Sequence, residues 1–137
     1  MTDKGEKMAL FVEHFAINIE DPVAMAAWYS SHLQMKVVQT GTPPADTHFL
    51  ADSSGRLMLE IYRALPDEVP DYATMNPLLL HIAFATDDAH ADHERLVAAG
   101  ASALGGVAEN ASGDRMATLR DPWGLSLQLC ERSEPMP

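Results

Sequence analysis

An internal duplication constrains this chain more than any other feature. His14-Phe-Ala-Ile-Asn-Ile-Glu-Asp21 returns 67 residues later as His81-Ile-Ala-Phe-Ala-Thr-Asp-Asp88. Leu57-Met-Leu-Glu60-Ile-Tyr62 returns 68 residues later as Leu125-Ser-Leu-Gln128-Leu-Cys130. Two nearly equal offsets mean two copies of one module. Each copy opens a strand with a histidine and buries a polar side chain in a later strand. A duplicated module can bring those four side chains together at its centre, which makes a metal site the first hypothesis.

Each half reads as a strand, a helix and then a group of strands. In the first half, Leu10 to Ile19 alternates and is rich in β-formers, and Asp21-Pro22 starts a helix with proline at its first position. Met25, Trp28, Tyr29 and Leu33 fall at helical spacing and predict an apolar stripe for packing on a sheet. Trp28 and Tyr29 are expected in the core, with Tyr29 also a candidate for lining a cavity. Lys36 to Thr40 is a short strand, Gly41 to Pro44 a loop, and residues 47–51 and 57–62 a hairpin around Asp52 to Gly55.

Pro66, Pro70 and Pro77 mark Arg63 to Pro77 as the linker. The plan then repeats. Leu78 to Thr86 is a strand, Ala89 to Ala99 a helix stopped by Gly100, and residues 116–119 and 125–130 pair across Asp121-Pro-Trp-Gly124. The tail from Ser133 to Pro137 is expected to fray.

Strand parity decides which side chains share a face. His14, Ala16 and Asn18 oppose Phe15, Ile17 and Ile19, while Met58, Glu60 and Tyr62 oppose Leu57, Leu59 and Ile61. In the second half His81, Ala83 and Ala85 oppose Ile82 and Phe84, and Ser126, Gln128 and Cys130 oppose the three leucines between and before them. Four times an apolar face for the helices is backed by a face carrying one strong donor.

Composition narrows the function classes. A formal charge of −11 argues against nucleic-acid and anionic-membrane partners, and weighs mildly against a polyphosphate ligand. Arg56, Arg63, Arg115 or Arg120 could still receive a single carboxylate. The one cysteine, Cys130, leaves no intramolecular disulfide and no cysteine-cluster zinc site. The charged start, Met1 to Lys7, does not read as a secretion signal, no apolar run is long enough to span a bilayer, and a cytoplasmic location is expected.

From about Ala9 to Glu131 the chain resembles the vicinal oxygen chelate superfamily, which holds glyoxalases, bleomycin resistance proteins and extradiol dioxygenases. The resemblance is carried by Val12-Glu-His14-Phe-Ala-Ile, by Trp28-Tyr29 with Leu33 and Met35 after it, and by Leu59-Glu60-Ile61. It continues in Leu80-His81-Ile-Ala-Phe and Asp121-Pro-Trp-Gly-Leu-Ser-Leu-Gln128-Leu. It implies an α+β fold of two tandem βαβββ modules forming a cupped, partly open barrel. Residues 1–137 would then be a single glyoxalase-like domain of modules 9–65 and 77–131, working as a homodimer on a small-molecule substrate.

Carried over position by position, the resemblance makes His14, Glu60, His81 and Gln128 the ligands of one divalent ion, nickel, cobalt, zinc, iron or manganese. Two neutral imidazoles, one carboxylate and one amide oxygen suit such borderline ions. The chain departs from the usual pattern at Gln128, where glutamate is common, and at Gln34, where the family often has glycine after the first helix. Gln128 stays open between ligand and cavity wall. For His14 and His81, the resemblance and the matched parity outweigh the ordinary reading of a satisfied strand histidine.

The function implied is Lewis acid and proton-transfer chemistry of the lyase or isomerase type on a small vicinal-oxygen or dicarbonyl-derived substrate. An amide cannot act as a base, so Glu60 is the expected catalytic residue. Two alternatives remain: an iron-dependent extradiol-type dioxygenase using His14, His81 and Glu60, and a metal-free small-molecule binding or resistance protein. Among the other candidates, Cys130 reads as a small buried hydrophobe, and His90 and His93 as a solvated helix face. His32 and His48 carry no pattern. Trp123 covers a rim or a contact with another copy, and the stretches 63–77 and 105–115 are where specificity would reside.

Overall fold

The computed structural model describes residues 9–136. The charged start, Met1 to Lys7, lies outside the described residues. The chain divides between Val69 and Pro70 into two compact units, inside the proline-rich linker. No helix among the described residues is long and apolar enough to cross a membrane.

The first unit runs β1 (Phe15–Asn18), α1 (Pro22–His32), β2 (Lys36–Thr40), β3 (His48–Ala51) and β4 (Met58–Tyr62). Its sheet has the order β1-β4-β3-β2, with β1 and β4 parallel and the other pairs antiparallel. Helix α1 starts where Asp21 accepts a hydrogen bond from the backbone N–H of Ala24 at 3.1 Å, and Pro22 follows with no N–H to orphan. The helix turns Met25, Ala26 and Tyr29 inward, where they meet Ile17, Ile19, Leu50, Leu59 and Ile61 as the unit's buried core. Trp28 and Leu33 are only half-buried, so the stripe is narrower than expected. Gln34 leaves the helix with φ of +55°, in the left-handed region that the family's usual glycine would adopt freely.

The second unit repeats the plan as β5 (Ile82–Ala85), α2 (Ala89–Ala98), β6 (Ser102–Ala103), β7 (Ala108–Glu109), β8 (Arg115–Arg120) and β9 (Ser126–Glu131). The sheet order is β5-β9-β8-β6, with β7 also on β8. Here the counterpart of β2, the module's second strand, is split: β6 covers one end of β8 and β7 the other. Asp88 caps α2 through Ala91 as Asp21 caps α1, and Gly100 leaves the helix at φ +114°. Leu96, Leu119, Leu125 and Leu127 are fully buried. Architecture and chain order are thus those expected, α+β with a helix-crossed sheet in each half.

Two local expectations are corrected. Strand β1 does not begin at Leu10, and β5 does not begin at Leu78: both start several residues later, and Leu10, Phe11, Leu78 and Leu79 are exposed. The linker holds two 3-10 turns, Pro66–Glu68 and Tyr72–Thr74. At the tail, Ser133 is held rather than frayed: its backbone N–H donates to Asp114 at 2.9 Å and its hydroxyl to the Ser112 carbonyl.

Candidate functional site

In the first unit the parallel register sets Ala16 against Glu60 and Phe15 against Leu59. His14, one step before β1, therefore shares the Glu60 face. Its Nε2 lies 3.4 Å from Glu60 Oε1, with the two side chains 35% and 20% exposed. The other ring nitrogen, Nδ1, lies 3.0 Å from the Glu13 carboxylate, which can only accept. A neutral imidazole that donates to Glu13 from Nδ1 turns the Nε2 lone pair toward a carboxylate oxygen. Two acceptors facing one another is unfavourable unless a cation or a proton lies between them. Phe49, directly across from Glu60, sets its ring edge to face against His14, with centroids 5.6 Å apart. Met58 and Tyr62 share that face and are half-buried.

The second unit repeats the half-site with different supports. His81 precedes β5, where Ala83 pairs with Gln128, so parity puts the imidazole and the amide on one face. His81 Nδ1 donates to the Pro77 carbonyl at 2.8 Å, again leaving Nε2 as the acceptor. The Cys130 thiol donates to Gln128 Oε1 at 3.5 Å. Burial pushes that thiol above its ordinary pKa and keeps it protonated, as the donor.

The donors in each half fit a borderline divalent cation chemically: imidazole nitrogen with carboxylate in one, imidazole nitrogen with an amide in the other. An anchored Nδ1 is the usual support of a metal-binding histidine. Among the described residues, no three His, Cys, Asp or Glu side chains are gathered as a metal-holding group. The pair the structure brings together by distance is His14 with Glu60.

The remaining candidates have other partners. His93 is not simply solvated: its Nε2 donates to the Gly105 carbonyl at 3.2 Å, while His90 is exposed. His48 donates to the Asp46 carbonyl. Arg115 is ion-paired with Glu109 and Glu131, and Arg120 is bonded to carbonyls and a hydroxyl. Sequence reasoning missed Glu13 and Pro77. The signal for Glu13 was present, a carboxylate one residue before a donor histidine, but a carbonyl contact leaves no mark in residue type.

A sequence profile of the glyoxalase/bleomycin resistance protein/dioxygenase superfamily matches residues 12–129. The chain belongs to that superfamily. Solved structures within or near the glyoxalase superfamily share its fold. A glyoxalase family protein from Bacillus cereus superposes with a TM-score of 0.76 at 17% identity, over 94% of this chain and 98% of that one. TnmS3, an antibiotic binding protein from Streptomyces sp. CB03234, gives 0.70 at 20%, over 93% and 100%. A glyoxalase I variant from Zea mays gives 0.71 at 20%, over 88% of this chain and 45% of that longer one. At such identities the likeness concerns the glyoxalase-superfamily fold and not the reaction. No curated protein matches the chain.

Proposed function

We propose that this chain is a metal-dependent enzyme of the glyoxalase type, of the lyase or isomerase class, acting on a small vicinal-oxygen or dicarbonyl-derived substrate. His14, Glu60, His81 and Gln128 would hold one divalent ion. The observation that carries the reading is the 3.4 Å approach of His14 Nε2 to Glu60 Oε1 with Nδ1 already committed to Glu13. The matching tautomer of His81 supports it from the other half.

A bound divalent ion would supply Lewis acid stabilisation of negative charge developing on substrate oxygens. The protein's own part is proton movement and orientation. Glu60, the one carboxylate among the four donors, is the base for the proton on the substrate carbon. Gln128 orients by hydrogen bonding, its oxygen engaged by the Cys130 thiol. The imidazoles keep Nε2 aimed at the face because Nδ1 of each is engaged, by Glu13 in one half and by the Pro77 carbonyl in the other. Work as a single domain, homodimeric assembly and a cytoplasmic location belong to the same proposal, the assembly being open to sedimentation analysis.

The test is a titration of the full chain with cobalt(II) and nickel(II) after chelator treatment. One ion per chain, lost in both His14→Ala and His81→Ala, is the expected result; retention of full binding in either variant refutes the four-donor site. Assays with methylglyoxal plus thiol and with catechol plus iron then separate isomerase from dioxygenase.

One observation favours a second reading, metal-free binding of an aromatic small molecule. Phe49, Tyr62 and Met58 give the Glu60 face an aromatic and thioether surface, and the superposable TnmS3 is described as an antibiotic binding protein. Tight binding of an aromatic metabolite by chelated protein, with no ion taken up, would select it.

A further inference from the structure

We infer that Arg120 is a positioning residue for His81, acting through the backbone of residues 72–77; the inference rests on the proposed donor role of His81. Arg120 ends β8 opposite Ser126, on the face that carries Gln128. Its guanidinium gathers carbonyls. Nη1 donates to the Tyr72 carbonyl at 2.8 Å, the Gly124 carbonyl at 3.1 Å and Ser126 Oγ at 3.1 Å, while Nη2 donates to the Met75 carbonyl at 2.9 Å. Each acceptor is neutral. A cation spent on four neutral acceptors fixes backbone position, since only the fork of the guanidinium reaches them together.

The held segment leads directly to the histidine. Past Met75, Asn76 turns the chain: its side-chain oxygen accepts from the Leu78 N–H and its carbonyl from the Leu79 N–H, both at 2.9 Å. Pro77, inside that turn, presents the carbonyl that takes the His81 Nδ1 proton at 2.8 Å. On its other side the segment is closed by Gly124, where a Cβ would come within 2.6 Å of the Ala73 nitrogen. Arg120 therefore sets where the Pro77 carbonyl stands, and that carbonyl sets which ring nitrogen of His81 offers a lone pair. Without it, His81 in water would drift toward the Nε2–H form, which donates where a ligand must accept.

The experiment reads the tautomer directly, without metal. Full-length protein labelled with nitrogen-15 is treated with chelator and held near pH 8.5, above the imidazole range of about 6.5. Long-range proton–nitrogen spectra are recorded for the parent, Arg120→Met and Arg120→Lys. The expected result is His81 as the Nδ1–H form in the parent, a shift toward Nε2–H in Arg120→Met, an intermediate state in Arg120→Lys, and His14 unchanged throughout. Cobalt(II) affinity should fall about 10-fold in Arg120→Met, as for loss of an outer support. A lower melting temperature with the His81 tautomer unchanged overturns the inference, because that is what a merely structural arginine would give. Should Arg120→Met not fold, the same two results in Arg120→Lys decide it. If the parent binds no cobalt(II) while the tautomer still shifts, the positioning role stands and the metal reading falls.

Discussion

His14 and Glu60, from neighbouring parallel strands, face each other with Nε2 and Oε1 3.4 Å apart, and Nδ1 on the far side of the ring lies 3.0 Å from the Glu13 carboxylate. The contact is either a protonated pair or half of a cation site. Glu60→Gln separates the two: it keeps the shape and a hydrogen-bonding oxygen but removes the charge. If the pair grips a cation, cobalt(II) affinity measured by calorimetry should fall by more than about 100-fold, beyond the range of about 10- to 100-fold that loss of an outer-sphere partner costs. An unchanged affinity would leave only the ion pair.

Gln128 supplies an oxygen without basicity. Gln128→Glu adds a carboxylate on the His81 face and should raise both cobalt(II) affinity and any proton-transfer turnover, the latter by about 100-fold, the low end of general base catalysis. A flat rate in steady-state assays would show that Glu60 already performs the whole proton transfer.

Gly124 stands at φ +91° with Ala73 pressed against it. Gly124→Ala meets both an unfavourable backbone region and a backbone atom, and should lose at least about 2 kcal/mol in urea unfolding. Gly55→Ala, where nothing lies within 4 Å, isolates the conformational part alone and should cost about half as much.

Asp114 anchors the end of the chain. The Ser133 backbone N–H holds its carboxyl below the ordinary value of 3.8, with Arg132 and Asn110 adding to the effect against a desolvation that opposes it. A depressed carboxyl pKa contributes stability that is complete above the unfolded value and disappears as pH falls through the folded one. The Ser133 amide should therefore keep its exchange protection down to about pH 4 and lose it below, followed by hydrogen exchange. Asp114→Asn should abolish that dependence.

Cys130 is buried and its thiol donates to Gln128. Alkylation by iodoacetamide at pH 8 should be slow in the native chain and rapid in urea, because burial disfavours the thiolate.

Much of this arrangement was legible from residue order. The parity of His14 with Asn18 and of Glu60 with Tyr62 follows from strand geometry alone, and Asp21-Pro22 announced the start of one helix and Gly100 the stop of the other. Strand starts were not legible. Phe15 pairs with Leu59 one residue after β4 begins, and Ile82 with Leu127 one residue after β9 begins, so the residues ahead have no ladder to join whatever their β-propensity. Leu10 to Val12 and Leu78 to Leu79 read as strand for their composition and stand exposed for want of that ladder. The supports of the histidines were also hidden, since Pro77 and Met75 act through carbonyls that every residue type carries.

The two histidines descend from one ancestor position yet lean on different crutches, a surface carboxylate in one case and a backbone carbonyl of a turn in the other. Each of the ancestral twins can therefore be retuned by an engineer or by evolution without disturbing its sibling.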